Sequence, residues 1–187
     1  MFAIISQLNI HLFMVINRLA DKSLMLNDMM IFAAKYLIYI IPFFLLFLWF
    51  VNKKWKRNKP ALFYIFFSTL ISVFVGWAIR SLYFHPRPFA VGLGVQIIPY
   101  VKENSFPSGH AAFMFGATFP LFFLKDRKNG ILLFILSFFV GFARVFCGVH
   151  FPLDILGSMI LSLIVALIVF SIMGKGINCN MDKYDTV

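Results

Sequence analysis

Five long apolar segments divide this chain, and they constrain its fold more than any other feature of the sequence. They comprise residues 29–51, 61–84, 108–124, 131–149 and 153–173. The first is long enough to cross ~30 Å of hydrocarbon as a helix that rises ~1.5 Å per residue. We therefore predict an all-α fold, a polytopic bundle of transmembrane helices that forms one membrane-embedded domain over residues 1–187.

The composition also indicates an apolar solvent. Hydrophobic residues make up 61% of the chain and charged residues only 13%, whereas soluble domains have about 45–50% and 25%. These values argue against a soluble single domain and exclude a disordered chain and a collagen-like repeat. The net charge of +10 comes mostly from short clusters between apolar segments, which is typical of membrane-protein loops. We therefore predict the bilayer as a partner and no nucleic acid, and two cysteines give no disulfide framework.

The basic clusters predict the orientation. Residues 53–59 and 125–128 lie on the same side of the membrane if the spans alternate, and the positive-inside rule assigns that side to the cytoplasm. The loop 85–107 and the turn 148–152 are then extracytoplasmic, and the tail 174–187 is cytoplasmic. We therefore predict a multi-pass membrane protein.

The N-terminal segment 1–20 allows two interpretations. Apolar residues recur in it at helical spacing, but polar residues such as Gln7, Asn9 and Asn17 interrupt it. An amphipathic helix in the outer interface is the first interpretation, and an additional span is the alternative. The predicted bundle therefore has five or six spans.

Ionisable residues at the ends of the spans need a reason, because charge is costly at membrane depth. Together with two adjacent residues, Ser108 and Gly109, they form three groups that the predicted topology brings to the extracytoplasmic face: Arg80 and Arg87; Ser108, Gly109 and His110; Arg144, His150 and Asp154. Each has an ordinary reading alone, since a single arginine commonly snorkels and an aspartate can cap a helix. Their coincidence on one face favours a functional site.

The residue types fit phosphate chemistry. Guanidinium groups match phosphate with paired hydrogen bonds, and a helix that begins at Ser108 and Gly109 favours an anion at its N-terminus. Two histidines can divide nucleophilic attack and protonation of the leaving oxygen. Asp154 follows His150 by four residues and could fix its tautomer, as a triad carboxylate does.

The same residues resemble the three-part signature of the type-2 phosphatidic acid phosphatase (PAP2) superfamily of membrane lipid phosphatases. The first part is Arg80-SLYFHP-Arg87-Pro88, the second is Pro-Ser-Gly-His at 107–110, and the third is Ala143-Arg144-VFCGV-His150-FPL-Asp154. Two positions depart from the pattern, since Arg80 stands where many members have Lys and Ala143 where many have Ser.

The resemblance implies a role for each residue. His150 would be the nucleophile that forms a phosphohistidine, Asp154 would orient it, and His110 would be the general acid. The phosphate would be held by Arg80, Arg87, Arg144, Ser108 and Gly109. No metal and no cofactor are implied, because the arginines would neutralise the negative charge of the phosphoryl oxygens.

A narrower similarity concerns the substrate. The stretches 83–89 and 103–107 resemble bacterial undecaprenyl-diphosphate phosphatases of the bacitracin-resistance type. This implies hydrolysis of undecaprenyl diphosphate at the extracytoplasmic side of the bacterial cytoplasmic (inner) membrane, which recycles the carrier lipid of peptidoglycan synthesis. A phosphatidylglycerophosphate, phosphatidic acid or lipid A phosphatase would use the same core. A non-enzymatic phospholipid carrier and a haloperoxidase-type use of the site are alternatives of other classes. The oligomeric state is left open.

Overall fold

The computed structural model describes residues 2–20, 22–51 and 59–182. The α-helices of this part are α1 (Phe2–Asn17), α2 (Leu24–Tyr36), α3 (Ile40–Val51), α4 (Lys59–Leu82), α5 (Gly109–Phe123), α6 (Arg127–Phe146) and α7 (Pro152–Asp182). Short 3₁₀ turns lie at Leu37–Tyr39 and Phe89–Val91. The predicted all-α class is confirmed, and the described residues form no strand beyond an isolated bridge.

Four helical segments of the described chain are long and apolar enough to cross a membrane: Leu24–Phe47, Pro60–Leu82, Arg127–Phe146 and Pro152–Met173. They correspond to four of the five predicted spans. The remaining one, 108–124, is the shorter apolar helix α5, which has 15 residues. Most of α5 is buried, because α4, α6 and α7 pack around it. A helix surrounded in this way needs apolar residues on all its faces, and its sequence has them.

The first span differs from its predicted bounds. It begins at Leu24 rather than at residue 29. Ser23 caps this start, because its Oγ accepts a hydrogen bond from the Leu26 N–H at 3.5 Å. The span is interrupted by the 3₁₀ turn at Leu37–Tyr39. Pro42 explains the interruption, because it lacks the N–H that would bond to the carbonyl four residues earlier.

Two other helices also differ from prediction at their ends. α6 begins at Arg127 because Asp126 caps it, and it ends at Phe146, three residues before the predicted limit. α7 continues to Asp182, through part of the predicted tail 174–187. Most of the basic cluster 53–59 and the last residues of the tail lie outside the described residues.

Helix α1 contacts the end of the bundle where α6 ends and α7 begins. The Asn9 side chain accepts a hydrogen bond from the Leu153 N–H at 3.0 Å, and the Phe13 ring packs edge-on against Phe151, with centroids 5.3 Å apart. Asn17 donates to the Phe146 carbonyl at 2.8 Å. With 16 residues, α1 is also shorter than the candidate spans. These contacts favour the interfacial interpretation over an additional span, and that interpretation stays a prediction.

Hydrogen bonds between α5 and α7 fix the relative height of the two helices. Ser158 Oγ donates to the Ser108 carbonyl at 3.0 Å, and Ser162 Oγ donates to the Ala112 carbonyl at 3.1 Å. All four residues are buried, where such bonds have little competition from water. The first turns of α5 and α7 are therefore held side by side.

Candidate active site

Four helix termini meet at one end of the bundle. α4 brings Arg80 in its last turn, and α6 brings Arg144 in its last turn. α5 begins after Ser108, and α7 has Asp154 in its first turn. The three groups of polar residues that the sequence predicts to share one face are therefore brought together. The turn at 125–128, which is rich in basic residues, joins α5 to α6 at the opposite end of these helices.

The loop 85–107 folds back on itself and delivers further residues to the same place. The Arg87 N–H donates to the Glu103 carbonyl at 2.9 Å, and the Ser105 N–H donates to the His85 carbonyl at 2.7 Å. These bonds flank an antiparallel bridge between Pro86 and Asn104. As a result, the Arg87 guanidinium and the Ser105 hydroxyl both reach the start of α7.

His150 and Asp154 form a buried pair. Their relative exposures are 1% and 0%, and His150 Nδ1 lies 3.2 Å from Asp154 Oδ2. The spacing of four residues allows this contact, because His150 lies just before α7 and Asp154 lies in its first turn. The same carboxylate oxygen accepts the Phe151 N–H at 2.8 Å, which holds its orientation.

The contacts of His150 assign its tautomer. Arg87 Nη1 lies 3.1 Å from His150 Nε2. A guanidinium can only donate, so Nε2 must accept and the ring proton must be on Nδ1, facing Asp154. Burial lowers the pKa of His150 to about 3, outweighing the hydrogen bond with Asp154 that raises it. The imidazole is therefore neutral at physiological pH, with its Nε2 lone pair directed toward the arginines.

The arginines of the site have N–H groups that no protein atom accepts. Arg87 and Arg144 are 1% and 2% exposed, and each also donates to a backbone carbonyl, of Val149 and Ala34 respectively. Nonetheless, four buried nitrogen atoms of these arginines have no hydrogen-bond partner in the described part of the chain. They are Nε of Arg80, Nε of Arg87, and Nε and Nη2 of Arg144. Burial lowers the pKa of Arg87 to about 10, which leaves it charged at neutral pH. Unsatisfied buried donors carry a large free-energy cost, so the arrangement fits an oxyanion that would accept them.

The first turn of α5 completes the cluster. The Ser108 Oγ accepts the Ala111 N–H at 3.5 Å, which makes it the helix cap. A Cβ at Gly109 would lie 3.2 Å from Arg80 Nη2, so this position leaves room for the guanidinium. His110 follows, half-buried, and interacts electrostatically with Arg80, Arg87 and Arg144. The geometry thus combines a cationic cage, a helix N-terminus and a second imidazole.

Ser105 is a site residue that the sequence analysis did not predict. It is fully buried, its Oγ donates to Asp154 Oδ2, and it lies 3.2 Å from His150 Nδ1. Its only signal in the sequence is its place three residues before Ser108, within the stretch 103–107 that resembles the phosphatases of the bacitracin-resistance type. A loop serine has no periodicity that would indicate its direction.

Other ionisable residues lie at or beyond the edge of the cluster. The imidazole of His85 is partly exposed, and its Nε2 lies 3.9 Å from Asp154 Oδ1. Glu103 is exposed and uses its backbone carbonyl in the loop. Burial raises the pKa of Cys147 to about 12, so this thiol is protonated and unreactive. Among the described residues, no group of three or more His, Cys, Asp or Glu is arranged to hold a metal.

Comparison with known proteins identifies the same superfamily as the sequence motifs. The sequence model of the PAP2 superfamily matches residues 61–177, which include every residue of the cluster. The chain is 34% identical over 166 residues to the bacitracin transport permease protein BcrC of Bacillus licheniformis, covering 88% of this chain and 80% of that protein. It is 28% identical over 163 residues to the undecaprenyl-diphosphatase BcrC of Bacillus subtilis, covering 87% and 83%.

A solved structure has a similar fold. The transmembrane PAP2-type phosphatidylglycerolphosphate phosphatase of Bacillus subtilis superposes with a TM-score of 0.68, covering 91% of this chain and 87% of that one. The sequence identity is 18%, so this comparison supports the fold alone. It agrees with the predicted architecture of a membrane-embedded helix bundle.

Proposed function

Because this chain belongs to the PAP2 superfamily and is a membrane phosphatase, we propose that it hydrolyses undecaprenyl diphosphate to undecaprenyl phosphate and phosphate. The observation that supports this is the neutral His150 Nε2 surrounded by buried guanidinium donors without partners. A nucleophile and a cationic cage at one point are what phosphoryl transfer to an enzyme side chain requires. The relative of Bacillus subtilis whose name states this substrate covers most of the chain.

The first step would transfer the terminal phosphoryl group to His150. Nε2 attacks the terminal phosphorus, and the bond from that phosphorus to the bridging oxygen breaks. His110, whose protonated form the negative charge of the bound diphosphate would favour, gives its proton to the bridging oxygen, so that undecaprenyl phosphate leaves. The arginines neutralise the charge on the phosphoryl oxygens, and the Asp154 carboxylate stabilises the positive imidazole ring of the phosphohistidine.

The second step would regenerate the enzyme. Water attacks the phosphorus of the phosphohistidine, and His110 accepts the proton of that water. The phosphorus–nitrogen bond breaks, inorganic phosphate leaves, and His150 returns to its neutral form with the proton on Nδ1. No step requires a metal or another cofactor.

We assign this site to the extracytoplasmic side of the cytoplasmic membrane. The support is the turn 125–128, which has three basic residues and one acidic residue and lies at the end of α5 and α6 remote from the site. The positive-inside rule assigns such a turn to the cytoplasm. An outward-facing site would meet undecaprenyl diphosphate on the side where the carrier lipid is released.

A competition assay tests the substrate. Purified protein in detergent, with a chelator present, should release phosphate from undecaprenyl diphosphate in preference to phosphatidylglycerophosphate, phosphatidic acid or lipid A. Preference for one of the other lipids would replace the proposed substrate but keep the mechanism.

The carrier alternative predicts a different result. One relative is named as a transport permease, and a carrier would bind the phosphorylated lipid without cleaving it. Trapping an acid-labile phosphohistidine after rapid denaturation would support hydrolysis, because transport alone forms no such bond.

Replacing Ser105 with alanine should lower kcat about 10- to 100-fold, because the buried Asp154 carboxylate loses a charge-assisted hydrogen bond. Ser81→Ala is a matched control, since Ser81 is exposed at the end of α4 and donates only to the Trp77 carbonyl. Steady-state phosphate release measures both variants. Equal kcat values for the Ser105 variant and the wild type would contradict a positioning role for this hydroxyl.

A further inference from the structure

An aromatic ring lies over two of the arginines in the cluster. The Cζ atom of Arg87 is 4.2 Å from the centroid of the Tyr100 ring, and that of Arg144 is 5.5 Å away. Both distances are within the range of cation–π attraction. Tyr100 lies in the loop 85–107, outside the three-part signature, and nothing in its sequence context indicates that it reaches the site.

The loop holds Tyr100 in this place through several anchors. Asn17 of α1 accepts the Val95 N–H at 2.7 Å and donates to the Val95 carbonyl at 2.9 Å. The Gln96 amide donates to the carbonyls of Ile98 and of Tyr100 itself, at 2.9 Å and 3.1 Å. The Ile97 N–H donates to the Cys147 carbonyl at 3.3 Å, which joins the loop to the end of α6. The ring is thus supported from α1, from the loop and from α6.

The contacts with the ring offset the repulsion between the two buried guanidinium groups. Arg87 and Arg144 are buried like charges that repel each other, and Asp154 is the only carboxylate whose charge acts on Arg87 appreciably among the described residues. A ring face attracts both cations at once through its quadrupole. The Tyr100 hydroxyl also interacts with the Arg144 guanidinium, but the ring face itself accepts no N–H. The buried donors that have no protein partner therefore remain available to a ligand.

We propose that Tyr100 is a positioning residue that aligns Arg87 and Arg144 for the phosphoryl group through its aromatic ring. The inference rests on the phosphate-binding role of these arginines in the proposed function. It assigns the effect to the ring rather than to the hydroxyl. It also gives the outer loop and α1 a part in phosphate recognition.

Substitutions that separate the ring from the hydroxyl test the proposal. Tyr100→Leu and Tyr100→Met remove the ring, and both should weaken the binding of inorganic vanadate, a phosphate analogue, about tenfold and raise KM by a similar factor. Tyr100→Phe should stay within about twofold of the wild type, because it keeps the ring. Tyr39→Leu is the control, since Tyr39 is an exposed tyrosine in the first span.

Vanadate binding is measured by titration of the purified protein in detergent, and thermal unfolding identifies any variant that has lost its fold. Wild-type affinity in a folded Leu or Met variant would overturn the proposal, and so would a Phe variant as weak as the Leu variant. Binding is measured without lipid, so a failure of the proposed substrate is distinguishable. In that case undecaprenyl diphosphate is not hydrolysed, whereas the ring-dependent difference in vanadate affinity persists.

Discussion

Replacing His150 with alanine is expected to lower phosphate release about 10³-fold or more, because it removes the atom that would attack phosphorus. His150 is buried, neutral and in contact with both Arg87 and Asp154, and the neighbouring loop offers no equivalent nitrogen in that position. His85 is the nearest further imidazole to Asp154, but it is 3.9 Å from the other carboxylate oxygen. The variant should also form no acid-labile phosphoenzyme when it is mixed with labelled substrate and quenched.

Two measurements make this result specific. His11→Ala is a matched control, since His11 is an exposed residue of α1, and it should retain full activity. The His150 variant should still bind inorganic phosphate, because the arginines are unchanged. A folded His150 variant with wild-type turnover would remove the phosphohistidine mechanism entirely.

The Asp154→Asn variant is expected to lose about 10³-fold in kcat with little change in KM. The carboxylate accepts hydrogen bonds from the Phe151 N–H and the Ser105 hydroxyl as well as from His150. An amide keeps the shape but loses the negative charge that stabilises a phosphorylated imidazole. It can also present its NH₂ group to Nδ1, which would move the ring proton to Nε2 and remove the attacking lone pair.

Whether the substitution changes kcat or KM distinguishes an orienting role of Asp154 from a role in substrate binding. Asp154 faces the side of His150 away from the arginines, so substrate binding should survive its loss. Asp28→Asn, at an exposed position of α2, is the control for a general effect of removing an acidic residue. A variant whose KM rises while kcat is unchanged would assign Asp154 to binding and contradict its orienting role.

The spans and the convergence of the site were predictable because both depend on patterns that the sequence records directly. Apolar length defines a membrane-crossing segment, and alternation of the spans then brings Arg80, His110 and Arg144 to one face. The bounds were less accurate where a local hydrogen bond sets them, as at Ser23 and Asp126. Several polar residues near the start of each helix could serve as its cap, so the sequence alone did not indicate which one does.

Ser105 and Tyr100 could not be predicted because they lie in a loop. Their side chains reach the site only because the chain folds back between residues 85 and 105, and because Asn17, far away in the sequence, holds Val95. Neither contact produces a repeat or a fixed spacing. The residues missed are those whose direction depends on tertiary hydrogen bonds. Most of those found lie at or next to helix ends, and Arg87, which lies in the same loop, was found through its place in the family signature.

If His150 is the nucleophile, the short distance between Arg87 and His150 makes the reactivity of the imidazole depend on the charge of the ligand. The lone pair required for attack is the one that accepts the guanidinium N–H, at 3.1 Å. An uncharged alkylating or acylating reagent offers that guanidinium nothing in exchange, whereas a phosphoryl group draws it into a stronger, charge-assisted hydrogen bond. In the proposed mechanism, the anion itself would thus uncover the nitrogen that attacks it, and chemical selectivity would begin before any lipid tail is recognised.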